Sequence, residues 1–340
     1  MTDDPTFVPA PVRSQALASG PVDARADLAA CKQILAEGSK SFAAASLLLP
    51  RRMRGPAAAF YAFCRVADDL VDFSADPSAA VVELAARLDR IYAAARAHQR
   101  NPQAVDALGD PVDRAFARVV GEYAIPRGVV DALIEGFAWD ADERAYETMD
   151  EVLGYCARVA SAVGVVMTAF MGPRDRRTLA RACDLGAAMQ LTNICRDVLE
   201  DADRGRLYLP AAWLRERGVD PVHFVAAPRD YVGDQRITGA VEAALDVAEG
   251  YYRRADAGIG MLPWDCRPAI RAASTIYADI GRVIRERGCD PLRGRAHTSK
   301  GRKLWLLACA WVRRTPKRVD AGQRDAPAIP ACDFLLEDFE

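Results

Sequence analysis

The sequence predicts an all-α fold, and three observations carry that prediction. Long windows are dominated by Ala, Leu, Arg and Glu with apolar residues at helical spacing, β-branched runs are scarce, and Pro and Gly separate the windows. VVELAARLDRIYAAARAHQ (81–99), DRRTLARACDLGAAMQLTNICRDVLED (175–201) and ITGAVEAALDVAEGYYRRADAGI (237–259) read as helices. Asn101-Pro102, Ile125-Pro126-Arg127-Gly128, Gly172-Pro173 and Asp220-Pro221 read as the breaks between elements. Residues 1–26, with prolines at 5, 9, 11 and 21, are expected to form a disordered arm. One all-α domain is expected over 27–313, since neither a repeat nor a mid-chain change of composition marks a linker. The Pro-broken, acid-ended segment 314–340 is expected to be a loose tail.

Composition excludes several function classes. The chain has 340 residues, 51% of them hydrophobic, and a net charge of -2, which argues against nucleic-acid binding through bulk electrostatics. Its nine cysteines form no CxxC pair, and Cys64, Cys156, Cys183 and Cys195 lie in helix-like apolar stretches, which suggests reduced, buried thiols. The three histidines, His98, His223 and His297, are scattered, which disfavours a His-based zinc site or a Ser-His-Asp triad. No secretory h-region is visible, and the apolar runs 163–172 and 304–312 are too short to span a bilayer. A cytoplasmic protein, at most peripheral on the inner face of the membrane, is the expectation.

Two stretches combine apolar residues with acids in a way that asks for an explanation. In YAFCRVADDLVD (61–72), Tyr61, Arg65, Asp68 and Asp72 fall within a helical arc of roughly 60°, with Asp69 at its edge. Asp68 and Asp72 are one turn apart, and Phe60, Phe63, Cys64, Val66 and Leu70 fill the other faces. In QLTNICRDVLED (190–201), Gln190, Asn193, Asp197 and Asp201 form a second stripe about 80° wide, with Asp197 and Asp201 again one turn apart. For either helix alone, a wet acidic face explains the pattern as well as a site does. Two such stripes set in apolar sequence, if they face each other, repel unless cations lie between them. Paired carboxylates are hard oxygen donors suited to Mg²⁺, which completes its shell with waters and substrate phosphates. The inference is a Mg²⁺–diphosphate site walled by apolar helices, in a cavity suited to a charged head and a greasy tail.

These same residues resemble the signature regions of the squalene/phytoene synthase family, most closely its bacterial phytoene synthase branch. The likeness rests on YAFCR with DDLVD (68–72), on QLTNICRDVLED and on RGRLYLP (204–210). GSKSFAAASLLLP (38–50), LIEGFAWDADERAY (133–146), YCARVASAVG (155–164) and SKGRKLWLLACAW (299–311) extend it over about 30–312. The resemblance implies a single-domain isoprenoid-synthase helical bundle with a central apolar cavity. The implied reaction is head-to-head (1′-1) condensation of two geranylgeranyl diphosphates through prephytoene diphosphate to phytoene, the first committed step of carotenoid biosynthesis. It implies Mg²⁺ (or Mn²⁺) held by Asp68, Asp72, Asn193, Asp197 and Asp201. Gln190 lines the same site, Arg65 and Arg196 contact diphosphate, Tyr61, Tyr155 and Tyr277 surround the reacting carbons, and Phe42 lines the pocket. For the aromatics, ordinary core packing is the competing reading.

Alternatives stay open at this level. A C15 condensing enzyme making dehydrosqualene, hydroxysqualene or squalene from farnesyl diphosphate would carry the same motifs. A non-catalytic scaffold or assembly protein of the same fold would have no need of four intact motif acids. The basic stretch 282–303 is either a rim that attracts diphosphates and anionic lipid or a solvated loop. Lipid substrate and product favour peripheral membrane contact, and contact with a downstream phytoene desaturase is compatible with the resemblance.

Overall fold

The computed structural model describes residues 23–38, 45–312 and 320–339, and the expectations for residues 1–22, for 313–319 and for Phe42 lie outside that set. Among the described residues there are helices and no strands, as the periodicity predicts. The chain divides into two compact units where one domain was expected. Among the described residues one comprises 23–38 with 51–124, and the other comprises 45–50 with 125–312 and 320–339.

The first unit contains α1 (Ala24–Gly38), α2 (Arg51–Asp72), α3 (Pro77–His98) and α4 (Pro111–Tyr123). Asp76 and Asp110 cap α3 and α4 by accepting the backbone N–H groups of Ala79 and Val112, each with proline in the first turn. Phe116 of α4 stacks on Phe63 and Phe60 of α2, with ring centroids 4.4 and 5.6 Å apart. Asp27 of α1 is almost fully buried and is held by Arg114 and Arg118 of α4, both at 2.6 Å. Two guanidinium groups compensate a carboxylate that is costly to desolvate alone. That clamp orients α1, whose C-terminal end lies beside Tyr61.

The second unit is built around α8 (Arg176–Asp203), the longest helix among the described residues. Around it pack α6 (Met149–Cys156) with the π-helical turn Ala157–Ser161, α7 (Ala162–Met171), α11 (Gln235–Gly258) and α12 (Arg267–Glu286). α5 (Arg127–Ala141) packs on the π turn and α7, α13 (Lys300–Val312) lies on α12, and the short helices α9 (Ala211–Glu216) and α10 (Pro221–Ala226) complete the set. Gly186 lets α8 touch the π turn backbone to backbone, since a Cβ there would lie 2.6 Å from the Ala160 carbonyl oxygen. The Ser161 hydroxyl donates to the Cys183 carbonyl at 2.9 Å across the same contact. The run Met149–Met171 is long and apolar enough to cross a membrane, yet 67% of its window is buried within the protein, the pattern of a core helix. All nine cysteines are free, and all but Cys64 and Cys309 are buried.

The C-terminal segment corrects an expectation. Residues 320–339, read as part of a loose tail, form α14 (Ala321–Arg324) and α15 (Asp333–Glu337) and bury Cys332, Leu335 and Leu336 completely. Arg181 of α8 donates to the carbonyls of Gln323 and Arg324 at 2.9 and 2.8 Å, and Arg254 of α11 donates to that of Pro327. Asp184, fully buried, holds both arginines, Arg181 at 2.6 Å and Arg254 at 3.0 Å. The prolines break the helical period that would advertise this segment. Its free carbonyls are instead satisfied by guanidinium groups supplied from distant helices.

Candidate active site

One candidate cluster lies on α2. Its apolar faces are buried as Phe60, Phe63, Val66, Ala67 and Val71, and the polar stripe is left half-buried at Tyr61, Arg65 and Asp68 and exposed at Asp72. Arg65 reaches Asp69 at 2.6 Å and Asp68 at 3.6 Å. Only 6% of the Asp69 side chain is accessible, against 42% for Asp68. Asp69, at the edge of the helical arc, is therefore the counter-ion that lets Arg65 sit in the wall, and Asp68 and Asp72 remain on the open face. Gly38 makes room for Tyr61: a Cβ at 38 would lie 2.5 Å from the Tyr61 hydroxyl oxygen.

A second cluster lies on α8 and gathers residues from α12 and from the segments that carry Arg204, Arg206 and Arg295. Asn193 donates to the Gln190 carbonyl oxygen at 3.3 Å, and its own carbonyl oxygen is buried without a hydrogen-bond donor. Asp197 accepts from Arg196 Nε at 2.7 Å and from Arg295 Nε at 2.9 Å, so two guanidinium groups meet on one carboxylate. Burial pushes the Asp201 carboxyl up to about 8, and the neighbouring Asp197 and Glu200 carboxylates add to the shift against Arg204 and Arg206. Burial opposes the charge of Arg196, but its bond to Asp197 outweighs that and holds the guanidinium above its usual range. Tyr277 of α12 is brought to the same place. Burial raises its hydroxyl, and Arg196, Asp197 and Arg295 all act on it electrostatically.

Tyr155, expected on the resemblance beside the reacting carbons, lies in a tyrosine cluster behind α8. It is buried, and its hydroxyl donates to Asp140 at 2.8 Å, while Tyr208 donates to the other oxygen of the same carboxylate at 2.6 Å. The Tyr155 and Tyr208 rings stack at 4.9 Å, and Tyr146 packs against both. Tyr208 lines a crevice with Asp201, Ile194, Val198 and Arg206, so Tyr155 stands one ring behind that carboxyl. Burial, then the Asp140 charge, raises the Tyr155 hydroxyl well above its ordinary value and keeps it a neutral donor.

Asp140, Tyr208 and Arg295 are the functional candidates that the sequence reading missed. Asp140 and Tyr208 stand in LIEGFAWDADERAY and RGRLYLP, stretches with a recognisable pattern but no helical spacing linking them to the stripes. Arg295 reaches Asp197 across 98 residues, a pairing that no local signal encodes.

The residues fit a hard divalent cation. Among the described residues no three His, Cys, Asp or Glu side chains converge as a closed metal cage. The donors come instead as separate pairs, Asp68/Asp72 on α2 and Asp197/Asp201 with the amide oxygen of Asn193 on α8, each of which leaves coordination positions to waters and phosphate oxygens, as Mg²⁺ or Mn²⁺ requires. The orphaned Asn193 oxygen fits the same set, since a buried acceptor without a protein donor is open to a cation or a water bound to one.

An all-helical fold carrying acid pairs bordered by arginines, amides and tyrosines defines the isoprenoid-synthase class. A dehydrosqualene synthase solved in complex with ligand matches with a TM-score of 0.72 and 28% identity, over 85% of this chain and 96% of that one. A squalene synthase from Alicyclobacillus acidocaldarius, at 24% identity and a TM-score of 0.69 over 82% of this chain and 100% of that one, shares the fold. The chain belongs to the squalene/phytoene synthase family, whose model matches residues 35–302. Among curated relatives, the phytoene synthase of Rhodobacter capsulatus is 50% identical over 288 residues, 84% of this chain and 81% of that one. The phytoene synthase of Cereibacter sphaeroides is 47% identical over 325 residues, 92% and 88% of the two chains.

Proposed function

We propose that the chain is a phytoene synthase, a prenyltransferase that condenses two geranylgeranyl diphosphates head to head, through prephytoene diphosphate, to phytoene. The observation that carries the chemistry is the α8 cluster, where the oxygens of Asn193, Asp197 and Asp201 are bordered by Arg196, Arg295 and Tyr277. Hard oxygens beside guanidinium groups suit a metal-bound diphosphate. The two relatives named phytoene synthase support the choice of substrate and product.

In this reading Asp68, Asp72, Asn193, Asp197 and Asp201 are the residues that would hold Mg²⁺ or Mn²⁺. The ion, when bound, supplies Lewis-acid stabilisation of the departing diphosphate. Arg196 and Arg295 exchange the Asp197 carboxylate for phosphate oxygens, and Arg65, steadied by Asp69, binds diphosphate from α2. Gln190 donates its amide hydrogens to the same group. Tyr61 and Tyr277 present ring faces that favour a cation, and Tyr155 backs the Tyr208 ring, its orientation fixed by the Asp140 bond. Phe42 is assigned to the lining on the resemblance alone. Water must stay excluded, because it would capture the cation as an alcohol. The protein acts in the cytoplasm at the inner face of the membrane, where phytoene can pass to a desaturase.

The test is incubation of the full chain with geranylgeranyl or farnesyl diphosphate and Mg²⁺, with mass analysis of the hydrocarbon. A 40-carbon product, abolished by EDTA and restored by Mg²⁺ or Mn²⁺, is expected. A preference for farnesyl diphosphate with a 30-carbon product would replace this reading with a C15 synthase.

A further inference from the structure

We infer that Arg158 is a positioning residue for the Tyr155–Asp140–Tyr208 set, and that the C-terminal segment 320–339 holds it there through Phe334. Arg158 stands on the π turn Ala157–Ser161, just after Tyr155 in the chain. Its guanidinium lies over the Trp139 ring at 4.0 Å, and Trp139 immediately precedes Asp140. The same group donates to the Gly154 carbonyl at 3.0 Å, and Gly154 immediately precedes Tyr155. Arg158 therefore ties together the residues next in sequence to both partners of the 2.8 Å Tyr155–Asp140 bond. A further bond, to Glu135 at 2.9 Å, fixes it to α5 one turn before Trp139. Gly136 admits this approach, since a Cβ there would lie 2.6 Å from Val159 Cγ1 and 3.1 Å from the Arg158 Cβ. The π turn interrupts the apolar run Met149–Met171 at this point, and such interruptions frequently mark functional constraint.

Ring faces as well as hydrogen bonds hold this guanidinium. The Arg158 Nε is buried with no hydrogen-bond partner among the described residues, and the side chain is only 17% accessible. The Phe334 ring of α15, itself 37% exposed, lies over the same group at 5.1 Å and is its cover toward solvent. An arginine stripped of that cover turns its head to water and loosens its hold on Trp139 and Gly154. Phe334 reaches its place because arginines seat the segment. Arg176 pairs with the adjacent Asp333 at 2.6 Å, and Arg181 and Arg254 hold the carbonyls of Arg324 and Pro327 upstream. The segment lies beyond 30–312, where the family resemblance runs, so no motif gives it a part in the chemistry. Its influence passes from Phe334 to Arg158, then to the Tyr155–Asp140 pair, and so to Tyr208, which lines the Asp201 crevice. The inference rests on the proposed function only in taking Tyr155 and Tyr208 as active-site residues.

The experiment compares full-length Arg158→Gln, Phe334→Ala and Phe334→Tyr with the parent, well below Tm. Arg177→Ser is the control: it removes the exposed pair with Asp325 in the same segment and none of the contacts of Arg158. Amide hydrogen exchange over 136–146 and 154–161, read by mass spectrometry, should quicken in Arg158→Gln and Phe334→Ala and match the parent in the other two. That readout needs no turnover, so it decides the clamp even where the choice of substrate fails. With the diphosphate the enzyme takes, kcat should fall by about tenfold or more in Arg158→Gln and by about threefold or more in Phe334→Ala. KM should stay within about twofold of the parent, because the residues assigned to metal and diphosphate are untouched. Phe334→Tyr keeps the ring face and should restore the parent's kcat. Unchanged exchange in Arg158→Gln and Phe334→Ala would overturn the inference. So would faster exchange with the parent's kcat, the mark of a support that is structural alone, or a raised KM at unchanged kcat.

Discussion

Replacing Asp201 by Asn should stabilise the metal-free protein above neutral pH while removing activity. Burial, Asp197 and Glu200 together raise the folded-state pKa of Asp201 from 3.8 to about 8. Between about pH 4 and pH 8 the folded chain thus holds a proton that the unfolded chain has released. Unfolding then takes up no proton but gives one off, so stability falls by about 1.4 kcal/mol per pH unit over that window. The full span of about four units sets a ceiling of roughly 5–6 kcal/mol. Coupling to Asp197 and the partial solvent access of the crevice reduce this to about 2–4 kcal/mol. Asn keeps the shape of the protonated carboxyl and does not titrate, so the variant should lose that slope. For a unit of this size, about 2 °C per kcal/mol gives a gain of roughly 4–8 °C in Tm at pH 8.5. The assay is thermal unfolding by circular dichroism of both proteins after EDTA treatment, at pH 5, 7 and 8.5. Turnover with Mg²⁺ should fall by at least about 100-fold, since the proposed metal site loses one of its carboxylates. An Asn variant with the same pH slope as the parent, or with near-normal turnover, would refute the reasoning.

The remaining predictions concern the supports of the site. Asp184→Ala leaves Arg181 and Arg254 without their shared buried counter-ion and should cost about 3–5 kcal/mol, read as a lower Tm and as faster proteolysis within 320–339. Tyr155→Phe and Tyr208→Phe each remove one hydroxyl from Asp140 and should cost about 1–2 kcal/mol. The double variant should depart from additivity by at least about 0.5 kcal/mol in a double-mutant cycle, because both donors serve one carboxylate.

Much of this was legible locally. The helical period of α2 and α8 places Arg65, Asp68 and Asp72 on one stripe and Asn193, Asp197 and Asp201 on another, because 3.6 residues per turn is a property of the backbone and not of the context. The Pro and Gly breaks likewise fall between elements, since those residues act on their own φ and ψ. The C-terminal segment was misread for a complementary reason. Its order comes from Arg181 and Arg254, some 70 or more residues away, and nothing in its own Pro-interrupted pattern announces them.

The sequence by itself determined the helical class, the paired acids on their two helices and the family, because each is carried by spacing within a short stretch. Only the tertiary structure decided what each acid faces. It made Asp69 the partner of Arg65, loaded Asp197 with Arg196 and Arg295, pushed Asp201 up to about 8 and tied Tyr155 through Asp140 to Tyr208. It also laid Phe334 over Arg158. Charge, burial and pairing depend on which atoms come within a few ångströms, and that proximity is set by packing between segments far apart in the chain.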